Sequence, residues 1–205
     1  MRVQALIPLK RAMHGKTRLA RVLNAVQRAE LVRVMAEHVV ETVAAVRGVL
    51  GVHVLTSDAS IAPRNCARIA DRGMELNASI AHAARELRSQ GAQALLIVHG
   101  DLPFLTTEDI RALLLASAED AVVAASDLAE AGTNALLFCL ARNFQTRFGP
   151  HSLAAHRLAA EAAAMRFHLV RRRGLACDID EPSQLAELAE RGGPSYSFLR
   201  SALRA

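Results

Sequence analysis

The chain has 205 residues, of which 52 % are hydrophobic and 22 % charged, a make-up that excludes a disordered chain and fits one folded globular domain over 1–205. No run approaches the ~18 uncharged apolar residues that a membrane-spanning helix needs. The formal net charge of +5 favours acidic partners such as nucleotides, phosphorylated metabolites or nucleic acid.

Val3 to Pro8 opens the chain as a strand, and the apolar run ends at Lys10 and Arg11 without a small-residue cleavage site, unlike a signal peptide. The expected compartment is the cytoplasm. Gln27 to Arg47 has a helical pattern, with Leu31, Val34, Met35, Val39 and Val43 on one apolar face. Val52 to Thr56 is a second strand, and Ala78 to Ser89 a helix closed by Gly91. Ala94 to His99 is a continuous apolar strand of the kind buried on both faces of a parallel sheet. Thr106, with Asp109 three residues on, predicts a capped helix start. Ala121 to Ala125 and Ala135 to Leu140 are further strands, Ser152 to Met165 is an alanine-rich helix, and Pro182 to Arg191 is a last helix with Pro182 in its first turn. The tail, 192–205, carries Tyr196, Phe198 and Leu199, and pattern alone leaves open whether it packs on the body or on a partner. Strands alternating with helices predict an α/β fold with a mostly parallel central sheet flanked by helices. Ligands of such sheets collect at the carboxyl ends of the strands.

The three cysteines, Cys66, Cys139 and Cys177, are far apart and read as buried reduced thiols rather than a disulfide framework or a zinc site. One tyrosine, six phenylalanines and no tryptophan leave few platforms for base stacking, which argues against nucleic acid. The run Arg171 to Arg173 reads as a solvated strand end.

The first strand is followed by a loop with Lys10, Arg11, Lys16 and Arg18 around Gly15, where glycine permits close backbone approach and the cations neutralise phosphate. It lacks the first glycine of a Walker A loop. Asp101 directly follows the long apolar strand, a costly place for a carboxylate unless it is paired or holds a cation. Asp178 and Asp180, two apart in an extended segment, offer two carboxylates to one side, and such a set suits a hard cation such as Mg²⁺. Structural alternatives stand beside these: Asp101 as a turn cap before Pro103, and Asp180 as N-cap of the last helix. Asn77 is either a helix cap or a base reader, Ser152 is an N-cap or an anion site, and His156 is a polar helix position or a binding residue, the former favoured.

In order, I-P-L-K, G-K-T-R-L, L-N-A-S, G-D-L-P, G-T-N-A-L, F-G-P-x-S…H and D-I-D-x-P, from Ile7 to Pro182, resemble the CofC guanylyltransferases of deazaflavin coenzyme biosynthesis. G-D-L-P is shared with many nucleotidyltransferases, and the later three segments are the more specific ones. The resemblance implies a Rossmann-like GT-A fold and a homodimeric enzyme. It implies transfer of GMP from GTP to a phosphorylated three-carbon acid, with release of pyrophosphate, for coenzyme F-420. It assigns Mg²⁺ to Asp101, Asp178 and Asp180, which with Lys16 form the catalytic set. It assigns the nucleotide to Lys10, Lys16, Arg18, Asn77 and Ser79, and the acid to Thr133, Gly149, His151 and Ser152. Neither nucleic acid nor a membrane is an expected partner. The family commonly has glycine where this chain has His151. A side chain there would reach an extra hydroxyl on the acid, which favours 3-phospho-D-glycerate over 2-phospho-L-lactate or phosphoenolpyruvate. The alternatives are a relative acting on a sugar phosphate or molybdopterin, and a non-catalytic nucleotide-binding domain.

Overall fold

The computed structural model describes residues 1–9, 16–64 and 66–203. Lys10, Arg11 and Gly15 of the basic loop lie outside the described residues. The core is one seven-stranded sheet in the order β3-β2-β1-β4-β6-β5-β7. Its strands are β1 (Val3–Pro8), β2 (Val49–Thr56), β3 (Ala67–Ala70), β4 (Ala94–Val98), β5 (Ala121–Ala125), β6 (Ala135–Cys139) and β7 (Arg166–Leu169). The helices are α1 (Ala25–Ala44), α2 (Leu76–Ser89), α3 (Thr107–Leu115), α4 (Ser152–Ala162), α5 (Arg173–Ala176), α6 (Pro182–Arg191) and α7 (Ser197–Ala202).

The mostly parallel sheet is present, with one reversal. Pairs β1–β2, β1–β4, β2–β3 and β5–β7 are parallel, whereas β6 runs antiparallel to both β4 and β5. The reversal serves the site. Val98 at the end of β4 faces Ala135 at the start of β6. The segment entering β6, with Thr133 and Asn134, is thereby delivered to the carboxyl edge where β4 ends and Asp101 follows. The His99 backbone N–H donates to the Asn134 carbonyl at 2.9 Å and fastens the two segments there.

All five residues of β4, β5 and β6 are buried, as continuous apolar runs require. α1 starts two residues earlier than its periodicity predicts, because Asn24 and Gln27 close a capping box. The Thr106–Asp109 capping box forms as expected. β3 and β7, four residues each with exposed positions, are edge strands whose mixed polarity hides them from pattern reading. The Arg171–Arg173 run follows β7, as a strand end, and continues into α5. Cys139 and Cys177 are buried, Cys66 is half-buried, and all three are unpaired. Among the described residues no helix is long and apolar enough to cross a membrane.

Two apolar clusters cover the two faces of the sheet, with Val39 and Leu113 on one side and Ile80, Phe144 and Leu153 on the other. A third joins the ends of the chain. Leu19, inside the 3-10 turn Thr17–Arg21, and Leu23, just past it, pack with Leu31, Leu185, Leu188, Tyr196 and Leu199. The tail thus lies on the body, through Tyr196 and Leu199.

Candidate active site

Lys16 enters the 3-10 turn in the left-handed backbone region, at φ 57°, a conformation that costs an L-residue about 1–2 kcal/mol and collects at functional sites. Its side chain is 8 % exposed. Nζ lies 2.5 Å from Asp101 Oδ2 and 2.7 Å from Asp180 Oδ1. One oxygen of each of Asp101, Asp178 and Asp180 lies within 4.8 Å of the others. The spacing of Asp178 and Asp180 therefore does bring both to Asp101, across 77 residues of chain or more. Asp180 is not the helix cap. That position belongs to Glu181, and the Gln184 side chain accepts from the backbone N–H groups of both Asp180 and Glu181 at 2.7 Å. The Asp180 carboxylate is left for Lys16.

Electrostatics set the three carboxylates apart. Burial works to raise Asp101, but Lys16 and His99 overcome it and hold this carboxyl below its ordinary value. Burial, then the charges of Asp101 and Asp180, push Asp178 up to about 6. Burial works against the Lys16 charge, but Asp101 and Asp180 keep its pKa above the ordinary lysine value. Asp101 Oδ1 is buried with no hydrogen-bond partner, and a buried orphan acceptor needs a donor or a cation. Three crowded carboxylates, all hard oxygen donors, with one such orphan oxygen fit a divalent cation.

A cleft of about 430 Å³ opens over this cluster, lined by Pro8, Lys16, Arg18, Asp71, His99 and Asp180 among others. Arg18 pairs with Glu181 at 2.9 Å at its rim. Ser79, fully buried, donates to Asp71 Oδ1 at 2.8 Å. Asn77 sits inside the first turn of α2 rather than capping it, since Glu75 holds the cap position. Its amide clamps Phe148: Nδ2 donates to the Phe148 carbonyl at 2.9 Å, and Oδ1 accepts from the Phe148 N–H at 2.8 Å. Asn77 thereby ties α2, expected on the nucleotide side, to the segment expected to hold the acid.

That segment converges on Thr133. Asp127 accepts from the N–H groups of Ala131 and Gly132 at 2.8 and 2.9 Å, which shapes the loop. Ser152 is the first residue of α4, not its cap, and its Oγ lies 3.3 Å from Thr133 Oγ1. Gly149 has φ 142°, a value that excludes side chains. His151 takes the cap position at φ 55° and is exposed, with no side-chain capping bond. His156 is fully buried against Phe148, whose other neighbour is the His99 ring at the cleft. Pattern favours a polar helix position over a binding role for His156 and does not mark Asp127, Asp71 or Gln184. The signals for His156 are the H that closes the F-G-P-x-S…H segment and its place four residues after Ser152, on the same helix face.

Burial pushes the His156 ring down to about 4, with the nearby His99 adding to this and the Ser152 backbone opposing it. Unfolded histidine titrates near 6.5. Between these values the unfolded chain binds a proton that the folded chain refuses, so this group's contribution is full above pH ~6.5 and is lost as pH falls towards 4. Urea unfolding at pH 7.5 and 4.5 is expected to show the wild type losing about 2 kcal/mol more than His156→Leu over that interval. Equal losses would show that the ring carries its proton in the folded state. Asp178, raised, has the opposite slope and is common to both proteins.

A second cavity, of about 530 Å³, lies over Arg171, Arg172, Arg173 and Arg191. Each guanidinium there already pairs with a carboxylate: Arg171 with Glu130, Arg172 with Asp109, and both Arg173 and Arg191 with Glu187. None of the expected ligand-binding residues lines it.

Comparison with known proteins gives a concordant picture. The family described as "Guanylyl transferase CofC like" matches residues 3–204. A phosphoenolpyruvate guanylyltransferase of Chloroflexus aggregans is 34 % identical over 189 residues, covering 88 % of this chain and 94 % of that one. One from Rubrobacter xylanophilus is 34 % identical over 201 residues, covering 96 % and 98 %. Among solved structures, a protein of Desulfovibrio desulfuricans G20 provisionally assigned as a nucleotide-diphospho-sugar transferase superposes with a TM-score of 0.77 at 16 % identity, over 100 % of this chain and 98 % of that one. This last likeness is one of fold.

Proposed function

Since the chain belongs to the CofC-like guanylyl transferase family, and is thus a nucleotidyltransferase, we propose that it transfers GMP from GTP to a phosphorylated three-carbon acid in coenzyme F-420 biosynthesis. The observation that carries the reading is the cluster of Asp101, Asp178, Asp180 and Lys16 at the carboxyl edge of the sheet, with Asp101 Oδ1 left unpartnered. The acid's phosphate oxygen attacks the α-phosphorus in line. A new P–O bond forms, the bond from the α-phosphorus to the bridging oxygen breaks, and pyrophosphate leaves with the electron pair. A phosphate monoester is already a nucleophile, so positioning and charge neutralisation suffice. Asp101, Asp178 and Asp180 would hold Mg²⁺, which neutralises phosphate charge when bound. Lys16 and Arg18 face the same cleft with fixed positive charge, and Lys10 is assigned to the triphosphate with them. Ser79 braces Asp71 at the cleft wall, and Asn77 positions the turn beside the base. Thr133, Ser152 and the Gly149 backbone form the acid's cradle. The reading includes a single cytoplasmic domain acting as a homodimer, which sedimentation at micromolar concentration checks.

The curated relatives make phosphoenolpyruvate the first acid to supply. One observation speaks for 3-phospho-D-glycerate: His151 stands next to Ser152 where glycine is common. Its ring has no capping bond to give up, so it is available to a substrate hydroxyl. The experiment is pyrophosphate release from GTP and Mg²⁺ with each of three acids, phosphoenolpyruvate, 2-phospho-L-lactate and 3-phospho-D-glycerate. Release with one acid and GTP, but not ATP, supports the reading. No release with any acid overturns it in favour of a sugar-phosphate enzyme or a binding domain. His151→Gly is expected to lower 3-phospho-D-glycerate relative to the other two by about tenfold, the worth of one lost hydrogen bond. It is also expected to raise stability by about 0.5–1 kcal/mol, because glycine accepts φ 55° without strain. An unchanged ranking removes His151 from the pocket.

A further inference from the structure

We propose that His156 is a positioning residue for the acid: fixed as the Nδ1–H tautomer, it donates into the Thr133–Ser152 hydroxyl pair and so leaves one hydroxyl proton of that pair uncommitted for an anion. The inference deepens the proposed function and rests on it. His156 Nε2 lies 2.9 Å from the Arg147 backbone nitrogen. A backbone N–H can only donate, so Nε2 accepts and the ring proton of a neutral imidazole is on Nδ1. Nδ1 lies 3.0 Å from Thr133 Oγ1, so the ring donates and Thr133 accepts. Thr133 and Ser152 own two hydroxyl protons, and their mutual bond at 3.3 Å uses one. Among the described residues neither hydroxyl has another acceptor. One proton therefore remains, in a pocket where both side chains are buried, and a buried unspent donor calls for an acceptor. With the opposite tautomer, Nδ1 would take the Thr133 proton, Thr133 would take that of Ser152, and the pair would present only lone pairs. A carboxylate would then be repelled. The tautomer thus sets the sign of the cradle.

The mechanism above leaves this histidine unused, yet it is built in firmly. Phe144 and Phe148 flank its ring, with Phe148 edge-on at 4.8 Å. Arg147 directly precedes the F-G-P segment that supplies Gly149. One ring nitrogen therefore reads the position of that segment while the other orients Thr133.

Two experiments test it on the full chain. The first uses ¹⁵N-histidine-labelled wild-type protein at pH 7. Long-range nitrogen–proton correlation is expected to show His156 neutral and protonated at Nδ1, and an Nε2–H or doubly protonated ring overturns the proposal. The second is steady-state kinetics with the acid that the wild type uses. His156→Leu is expected to raise KM for the acid about 10- to 100-fold, the range for a hydrogen bond to a charged group, with KM for GTP within twofold of wild type. His156→Asn, which restores an N–H where Nδ1 stood, is expected to recover most of that loss. Thr133→Val is expected to show the same split, and adding it to His156→Leu to cost little more. Additive effects, no rescue by Asn, or an equal rise in both KM values overturns the proposal. If His156→Leu does not fold, the tautomer measurement and the Thr133→Val split decide. An active wild type with the wrong tautomer sinks this inference alone. A wild type inactive with every acid sinks the proposed function, and the role in acid binding with it.

Discussion

Asp101→Asn is expected to lower pyrophosphate release by about a thousandfold or more while leaving the protein folded. Asp101 is the carboxylate at the end of β4 whose second oxygen is buried and unpartnered, and it also faces Lys16. Asparagine keeps the shape and an oxygen for the lysine, but it removes the charge that a divalent cation requires. Charge stabilisation by a metal is worth several kcal/mol, and about 4 kcal/mol corresponds to a thousandfold in rate. The fold loses the charge pairing with Lys16, but Asp180 still faces the lysine, and the same change relieves Asp178, which the charges of Asp101 and Asp180 now help push up to about 6. The check is kcat at saturating GTP and acid, with Mg²⁺ binding followed by calorimetry on the same protein. A loss under tenfold with cation binding intact would remove Asp101 from the metal set.

Lys16→Met is expected to lower kcat/KM by about a hundredfold and to make thermal stability depend on a divalent cation. The lysine tip is nearly buried between Asp101 and Asp180. Methionine keeps much of the stem and leaves both carboxylates without their counter-charge. Removing one partner of a buried ion pair costs about 3–5 kcal/mol. The lower end applies here, because Asp180 is half exposed and solvent screens it. Backbone strain at φ 57° is common to both proteins, so the comparison isolates the charge. Differential scanning calorimetry with and without Mg²⁺ reads the effect: the variant's Tm rises with the ion by more than the wild type's does. Equal responses would mean that Lys16 and the cation do not share these carboxylates.

Much of this architecture was legible in the chain, and the failures have causes. The apolar runs that became β1, β4, β5 and β6 announce themselves, because a strand covered on both faces has no polar side to blur it. β3 and β7 lie at the sheet edges, where exposure mixes the pattern. The reversal of β6 has no sequence mark, since strand direction depends on partners that no local pattern names. Asp101, Asp178, Asp180 and Lys16 were each visible by position, and the structure brings them together. Of the positions read as helix caps, Thr106 holds and three do not. Asn77, Ser152 and Asp180 are all displaced by one or two residues, because Glu75, His151 and Glu181 take those places. Cap position depends on the last non-helical dihedral, which a tertiary hydrogen bond can move by one residue. His156 is underweighted by pattern for a plainer reason: a polar residue in an alanine-rich helix looks solvated until Phe144 and Phe148 are seen around it.

The apolar joint between Leu19, Leu23 and the tail governs when the cleft comes into being. Synthesis delivers Lys16 and Asp101 first, and Asp178 and Asp180 some 75 residues after Asp101. At the usual elongation rates, about 5–20 residues per second, that is a wait of several seconds. Meanwhile Leu19, Leu23 and Leu31 have only Val34, Met35 and Phe104 of their cluster beside them, for Leu185, Leu188, Tyr196 and Leu199 are still unmade. Lys16 has one carboxylate instead of two. When α6 and α7 arrive, they seal the joint and bring the last two aspartates to the lysine in the same motion. A chain cut short before α6 lacks Leu185, Leu188, Tyr196 and Leu199 and leaves that joint open.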